Sequence, residues 1–409
     1  MLRSMFTAIS SLTLHQSFMD VVADNLSNVN TYGFKSSRIT FQDQFSQIVR
    51  YGSAPTDELG GINPAQIGLG VRIGSITANF TQGMLQSTGR TTDLAIQGDG
   101  FFIYGKGDER YYSRDGAIEI DADGYLVNAS TGMRLQGWMV TSGSTGSIDT
   151  GLPIDDIQLP LGSTIARATT SVIMGGNLNS TSSSGSAGAY PATIGVYDSL
   201  GVLHSVTLTF EKTGDGQWSW TASGDGVVSG SGTITFDANG NYSSSTVTDS
   251  VRITGSSGAD DIVFDPDMSQ LTQLATESSV ITRSQNGLAP GSLTSFYVTT
   301  KTGEIYGLYS NGMQQLIGQI ALASFVNPAG LIREGQSMFK QGPNSGEPGI
   351  GAVNTGGRGE VVSGYLEASN VDLAQEFTNM ILAQRGFQAS SRVITTSDEM
   401  LQELVNIKR

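Results

Sequence analysis

The sequence predicts a mainly β chain with terminal α-helical coiled-coil segments and a nested multi-domain β architecture. Three observations carry that expectation. Both ends bear an apolar heptad, Leu2, Met5, Ile9, Leu12, Met19, Ala23 and Leu26 in front and Leu373, Phe377, Met380, Phe387, Ile394 and Leu401 behind, which is the spacing of a helical seam. Across the chain, 53 glycines and a charged fraction of 14% favour many short strands joined by tight turns over a helical enzyme. Finally, the alternating pattern that begins at Val71 breaks off near Gly137 and resumes after Arg283, as expected when one β domain is inserted into another.

The elements follow in order. The front helix should run from about Leu2 to Val29 and stop at Asn28-Val29-Asn30-Thr31-Tyr32-Gly33, where Asn and Gly accept the left-handed backbone that closes a helix. Phe34 and Lys35 then start an extended segment. Residues 36–70 lack clear periodicity and hold Pro55, Gly60-Gly61 and Pro64, so an irregular connector is expected. Residues 71–145 and 286–359 read as one inner β domain, with Val71-x-Ile73, Leu94-x-Ile96 and Ile118-x-Ile120 before the break, and Leu293–Thr300, Ile305–Tyr309, an Asn311-Gly312 hairpin signal and Leu316–Phe325 after it.

Residues 146–285 read as an outer inserted β domain, entered across a Gly/Ser-rich boundary at Ser142–Asp149. Its strands are expected around Ile194–Tyr197, Val206–Phe210, Trp218–Trp220, Ile234–Phe236 and Ile262–Phe264. The last helix should be capped by Ser369 or Asn370, with Asp372 in its first turn. Residues 1–35 and 360–409 together would form a terminal helical domain. Its two stripes can be buried only on each other or on copies of themselves, and Gln16, Gln384, Ser391 and Asp398 interrupt them, so a lone two-helix coil would be weak. Neighbouring subunits are expected to complete it, which makes the seam a polymerisation surface.

Composition narrows the function classes. Twenty-two basic against 37 acidic side chains give a net charge of −15, without the Lys/Arg cluster that grips a phosphate backbone, so nucleic acid is not an expected partner. The absence of cysteine excludes disulfides, thiolate metal sites and a Cys nucleophile. Neither a secretory signal pattern nor a run of about 18 apolar residues occurs, so no membrane span is expected.

No motif for catalysis or cofactor binding emerges. Gly98-Asp99-Gly100 has Ile103 where a dinucleotide loop needs its third glycine. Glu119-x-Asp121-x-Asp123-Gly124 imitates a calcium loop but ends on Ser130 in place of the bidentate Glu, so a hairpin turn is expected. His15 and His204 show no metal-ligand or nucleophile partner in the sequence. Trp138, Trp218 and Trp220 could form a sugar platform, but in a β body they more often fill core. An adhesin or glycan-active protein stays an alternative of another class, because carboxylates are plentiful enough for a glycosidase pair.

Several segments resemble one family. Asn25-Leu-Ser-Asn28-Val-Asn30-Thr31-Tyr-Gly33-Phe34-Lys35 resembles the signature that ends the first helix in the flagellar rod and hook family, the axial proteins of the bacterial flagellum. Asp93–Phe102, Tyr112–Gly116 with Asp123–Val127, Gly364–Leu373 and Gln384–Ala389 resemble further signatures of that family. Its distal rod members are similar at both ends but much shorter, whereas Val196–Gly201, Tyr309–Gly312 and Ala323–Leu331 resemble its hook-type members; a rod subunit is the alternative within the family.

The resemblance implies a structural subunit with no enzymatic activity and no cofactor. Such subunits pass through the flagellar type III export apparatus, polymerise with themselves under a hook cap into a curved extracellular tube, and meet rod and hook-filament junction proteins at its ends. The tube acts as a universal joint that transmits torque from rod to filament. Terminal helices would line it and β domains would slide on their neighbours outside.

Overall fold

The computed structural model describes residues 2–55, 59–140 and 148–407. Helix α1 spans Leu2–Ser27 and helix α2 spans Leu373–Ile407. The first ends two residues before the expected Val29, because Asn28 turns its amide back on the helix, Nδ2 donating to the Asp24 carbonyl at 2.9 Å. Asp372 caps the second: its Oδ1 accepts the N–H groups of Ala374 at 2.9 Å and Gln375 at 3.2 Å. Neither Ser369 nor Asn370 is the cap. Asn370 instead fastens the approach to the helix, accepting the Ser36 N–H at 2.7 Å and donating to the Asn79 carbonyl at 2.8 Å.

The buried positions on the two helices are not the predicted stripes; on α2 they stand three residues after Met380, Phe387 and Ile394, beside the interrupting Gln384, Ser391 and Asp398. Ala8, Leu14, Val22 and Asn25 are buried on α1, and Ala383, Ser390 and Ser397 on α2. The α2 residues recur every seven, but they are small. Ser390 donates to Ser11 at 2.9 Å across the pair, and a Cβ added at Gly386 would overlap the His15 ring. Small residues let the backbones approach, and the long apolar side chains are left flanking the contact.

The expected irregular connector contains paired strands on either side of an irregular stretch. Ser37–Asp43 pairs antiparallel with Val71–Ala78, setting Ile39 opposite Ile76 and Phe41 opposite Ile73. Within that loop Ser46–Arg50 pairs with Ala65–Gly68. The partners are separated by intervening chain, so the alternation of each short strand is read only once the other is beside it. Phe41 also packs edge-on against Phe18 of α1, ring centroids 5.6 Å apart.

The chain forms two compact units. One comprises residues 1–159, 297–306 and 316–409, the other 160–296 and 307–315. The second unit's segments fall between segments of the first, with borders other than those expected. Asp155–Asp156 pairs with Arg134–Met139, and Gln158 bridges to Tyr125, so the first unit retains the chain up to Leu159 rather than releasing it at 145. The predicted Gly/Ser boundary falls mostly on 141–147, outside the described residues. On the other side, Asn311 donates to the carbonyls of Ile165 at 3.3 Å and Ala289 at 2.8 Å, which draws the 307–315 hairpin tip into the second unit. Residues 360–372, expected in the helical domain, instead supply the strands Glu360–Ser363 and Tyr365–Glu367, which pair with Leu94–Gln97 and Leu85–Ser87.

The first unit's core gathers Phe101, Ile103, Tyr112, Trp138, Ala321, Ala323 and Phe339. Phe101 lies in strand Phe101–Lys106, which pairs with Glu109–Ser113 and, through Leu135, with Arg134–Met139. Asp121 closes the adjoining hairpin by accepting the N–H groups of Asp123 and Tyr125; the calcium-like spacing is a turn.

The second unit is an antiparallel meander, Tyr190–Tyr197, Leu203–Gly214, Gln217–Gly224, Val227–Phe236, Tyr242–Ile253 and Ile262–Phe264, with each strand beside the next. A three-stranded sheet shares its core, with Val172–Asn179 parallel to Pro266–Leu274 and antiparallel to Ser279–Gln285. Trp218 and Trp220 are fully buried in that core, and Trp138 is buried in the other unit, so none forms an open sugar platform.

His204 has a partner that the sequence did not reveal. Its Nε2 lies 3.3 Å from Asp198 Oδ2, while Asp198 Oδ1 accepts the N–H groups of Leu200 at 2.9 Å and Val202 at 2.8 Å. Burial pushes the Asp198 carboxyl up, but the bonds from Val202, His204 and Leu200 outweigh it and hold the group below the ordinary value of 3.8. Because the folded value is the lower one, this stabilisation is complete above pH 3.8 and is lost as the pH falls through the folded value. In acid titrations followed by Trp218 and Trp220 fluorescence, the second unit should weaken below that pH, and Asp198→Asn should flatten the loss. Equal acid sensitivity in the variant would refute the assignment.

Candidate functional site

The eleven residues from Asn25 to Lys35 form a joint that ties the end of α1 into the first β unit. Asn25 is buried, and its side chain imitates a strand neighbour: Oδ1 accepts the Ser37 N–H at 2.7 Å and Nδ2 donates to the Ser37 carbonyl at 2.9 Å. Nδ2 also reaches Glu376 of α2 at 3.2 Å. One amide thereby joins both helices to the chain that leaves α1. Asn28 accepts the Thr31 hydroxyl at 3.1 Å, while Asn30 and Thr31 are exposed.

Gly33 has to be glycine. Its φ is +68°, and a Cβ there would sit 2.5 Å from the Asp115 nitrogen; both facts exclude an ordinary side chain. Its N–H donates to the Glu367 carbonyl at 2.8 Å. Phe34 lies beneath Arg333, whose guanidinium carbon is 5.0 Å from the ring centroid and whose Nη2 donates to the Lys35 carbonyl.

Lys35 is 1% exposed and meets a fully buried carboxylate. Its Nζ donates to Glu367 Oε1 at 2.6 Å and to the Thr81 carbonyl at 2.9 Å. Glu367 Oε1 also accepts the Gly83 N–H at 2.8 Å, and Oε2 accepts Arg114 Nη1 at 3.3 Å. Two cations therefore share one anion out of water. Burial pushes the Lys35 ammonium below its ordinary value, against the pull of Glu367. The Arg114 guanidinium is pushed down by burial in the same way. Nearby Asp115 is raised by burial, although Asn128 and the Ala117 N–H bond its charged form. Such a cluster has the chemistry of a structural clamp, since each charge is held by a partner and none faces open solvent.

A cavity of about 640 Å³ adjoins the joint, lined by Asn28, Tyr32, Phe34, Arg333, Met338 and Phe339 among others. Among the described residues no cluster of His, Cys, Asp and Glu could hold a metal ion, and no helix is long and apolar enough to cross a membrane.

The predicted seam residues lie apart from this joint. Met5, Leu12, Met19 and Leu26 on α1 and Met380, Phe387, Ile394 and Leu401 on α2 are half-buried. Ile9, Leu373 and Phe377 are exposed, at 40%, 44% and 51%, and the Leu2 side chain lies outside the described residues. Glu367 and Arg114 were missed as functional groups. Both sit inside segments that resemble the family signatures, but no local spacing pairs a lysine with a glutamate 332 residues away.

Four family models match in chain order: the flagella basal body rod protein over residues 5–35, the flagellar hook protein FlgE/F/G D1 domain over 95–176, the flagellar basal body protein FlaE D2 domain over 163–288, and the flagellar basal body rod FlgEFG protein C-terminal over 362–407. The flagellar hook protein FlgE of Borreliella burgdorferi is 38% identical, covering all of both chains, and that of Escherichia coli is 33% identical over 98% of this chain and 99% of its own. The basal-body rod protein FlgG of Bacillus subtilis is 31% identical, again covering all of both chains. With full-length identities up to 38% and a matching family model at each end and across the body, the chain belongs to the flagellar hook protein family.

Proposed function

We propose that this chain is a structural subunit of the flagellar hook, without enzymatic activity, that polymerises with itself outside the cell into a curved tube acting as a universal joint. The observation that carries the reading is the pair of terminal helices. They close on each other through small residues and leave long apolar side chains uncovered, Ile9, Phe377, Ile381 and Leu382 being 40–59% exposed. Single exposed apolar residues are ordinary, but several on one helix pair suit an interface. The half-buried seam residues would complete that surface against neighbouring copies. Rod and hook-filament junction proteins would bound the tube, a hook cap would attend its growth, and the flagellar type III export apparatus would deliver the chains.

A rod subunit is the second reading, favoured by the full-length match to a protein named FlgG. Electron microscopy of the polymer formed by the purified chain separates the two. Curved tubes are expected; straight, rigid tubes would overturn the hook reading in favour of the rod. A chain that never polymerises but binds or hydrolyses glycans would overturn both.

A further inference from the structure

The chain contains three Asn-Gly steps, at Asn239-Gly240, Asn286-Gly287 and Asn311-Gly312. This dipeptide is chemically reactive: the glycine amide nitrogen can attack the asparagine side-chain carbonyl carbon, with no side chain on glycine to hinder it. We propose that Asn239 is a site of spontaneous deamidation in the folded protein and that the fold protects the other two. In the reaction the Gly240 nitrogen forms a bond to Asn239 Cγ, and the side-chain nitrogen leaves as ammonia. Water then opens the cyclic imide at either carbonyl, giving aspartate or its β-linked isomer.

The nucleophile does not distinguish the three sites. Gly240 donates its N–H to the Asp237 carbonyl at 3.0 Å, Gly287 to Gln285 Oε1 at 2.7 Å and Gly312 to the Tyr309 carbonyl at 2.9 Å. The carboxamides do. Asn286 Oδ1 accepts from Thr170 and Ser171, and its Nδ2 donates to Thr170 Oγ1 at 2.7 Å. Asn311 Oδ1 accepts from Met313, and its Nδ2 donates to Ile165 and Ala289. Each of these amides must break three hydrogen bonds before it can turn toward its glycine. Asn239 is exposed, and among the described residues its side-chain amide makes none; its backbone N–H alone is tied, to Asp237 Oδ1 at 2.8 Å.

The position gives the reaction a structural consequence. Residues 237–241 close the hairpin between strands Val227–Phe236 and Tyr242–Ile253, and the Gly240 carbonyl accepts the Gln273 N–H at 2.7 Å. A Cβ at Gly240 would overlap the Gln273 carbonyl, so the turn has no slack there. The β-linked isomer adds a carbon to that backbone, and both products place a new carboxylate beside Asp237. This exposed hairpin would thus gain charge and lose register with age.

The test is to incubate the full-length folded chain at neutral and mildly alkaline pH and to follow all three sites by peptide mass spectrometry, with the same chain in denaturant as reference. Asn239 should convert at least about tenfold faster than Asn286 or Asn311 in the folded chain, because each retained hydrogen bond must first be given up. In denaturant the three rates should converge. Asn239→Gln should remove the fast phase and leave the other two unchanged. The proposal is overturned if Asn286 or Asn311 converts as fast as Asn239 in the folded state, or if the same ranking persists in denaturant.

Discussion

Replacing Glu367 with alanine is expected to destabilise the first unit by about 3–5 kcal/mol, the usual result of removing one partner from a buried ion pair. The carboxylate is fully buried and answers both Lys35 and Arg114; without it two cations remain in a cavity that water does not reach. The Gly83 N–H, 2.8 Å from Oε1, loses its acceptor as well. Native-state hydrogen exchange should show the loss first at the Gly83 amide, which bonds to the Glu367 carboxylate, because local opening follows the weakest contacts. Adding Lys35→Met to Glu367→Ala should recover part of the stability, since it removes a stranded charge. A Glu367→Ala chain within about 1 kcal/mol of the parent would mean that the cluster is solvated and carries no clamping role.

Leu12→Asp and Phe387→Asp should each abolish polymerisation while leaving both β units folded. Both side chains are half-buried beside the small-residue contact of the helix pair, so neither fills a core within its own chain. A carboxylate at an interface with a neighbouring copy has no partner there and costs several kcal/mol per contact, repeated along the polymer. Sedimentation would read the loss of polymer, and tryptophan fluorescence would confirm that the β units persist. Gly386→Val provides the contrast. Its side chain would strike His15, so it should separate α1 from α2 within the monomer. Normal polymerisation by either aspartate variant would show that these side chains face solvent.

Much of this fold was legible residue by residue. Heptad spacing marked both helices, alternation marked the meander strands, and Asp-x-Asp-Gly and Asn-Gly marked hairpins, because each of these signals is a local period or a local backbone demand. The joint was half legible. Asn25, Gly33 and Lys35 stood out through their resemblance to a family signature, and Gly33 has a local reason in its φ of +68°. Other features needed the tertiary structure. The strand pairing of 37–43 with 71–78, the hairpin tip 307–315 joining the second unit, and the Lys35–Glu367–Arg114 cluster all depend on which distant segments meet.

The helix pair shows the division most clearly. A seven-residue period is the same whichever heptad position faces the partner, so the sequence by itself determined that both ends are helices carrying an apolar stripe. Which face closes within the chain was decided by how near the backbones come. Gly386 and Ser390 permit an approach to His15 and Ser11 that Phe387 and Ile394 would block. Close backbone contact therefore selects the small residues and leaves the large ones beside it.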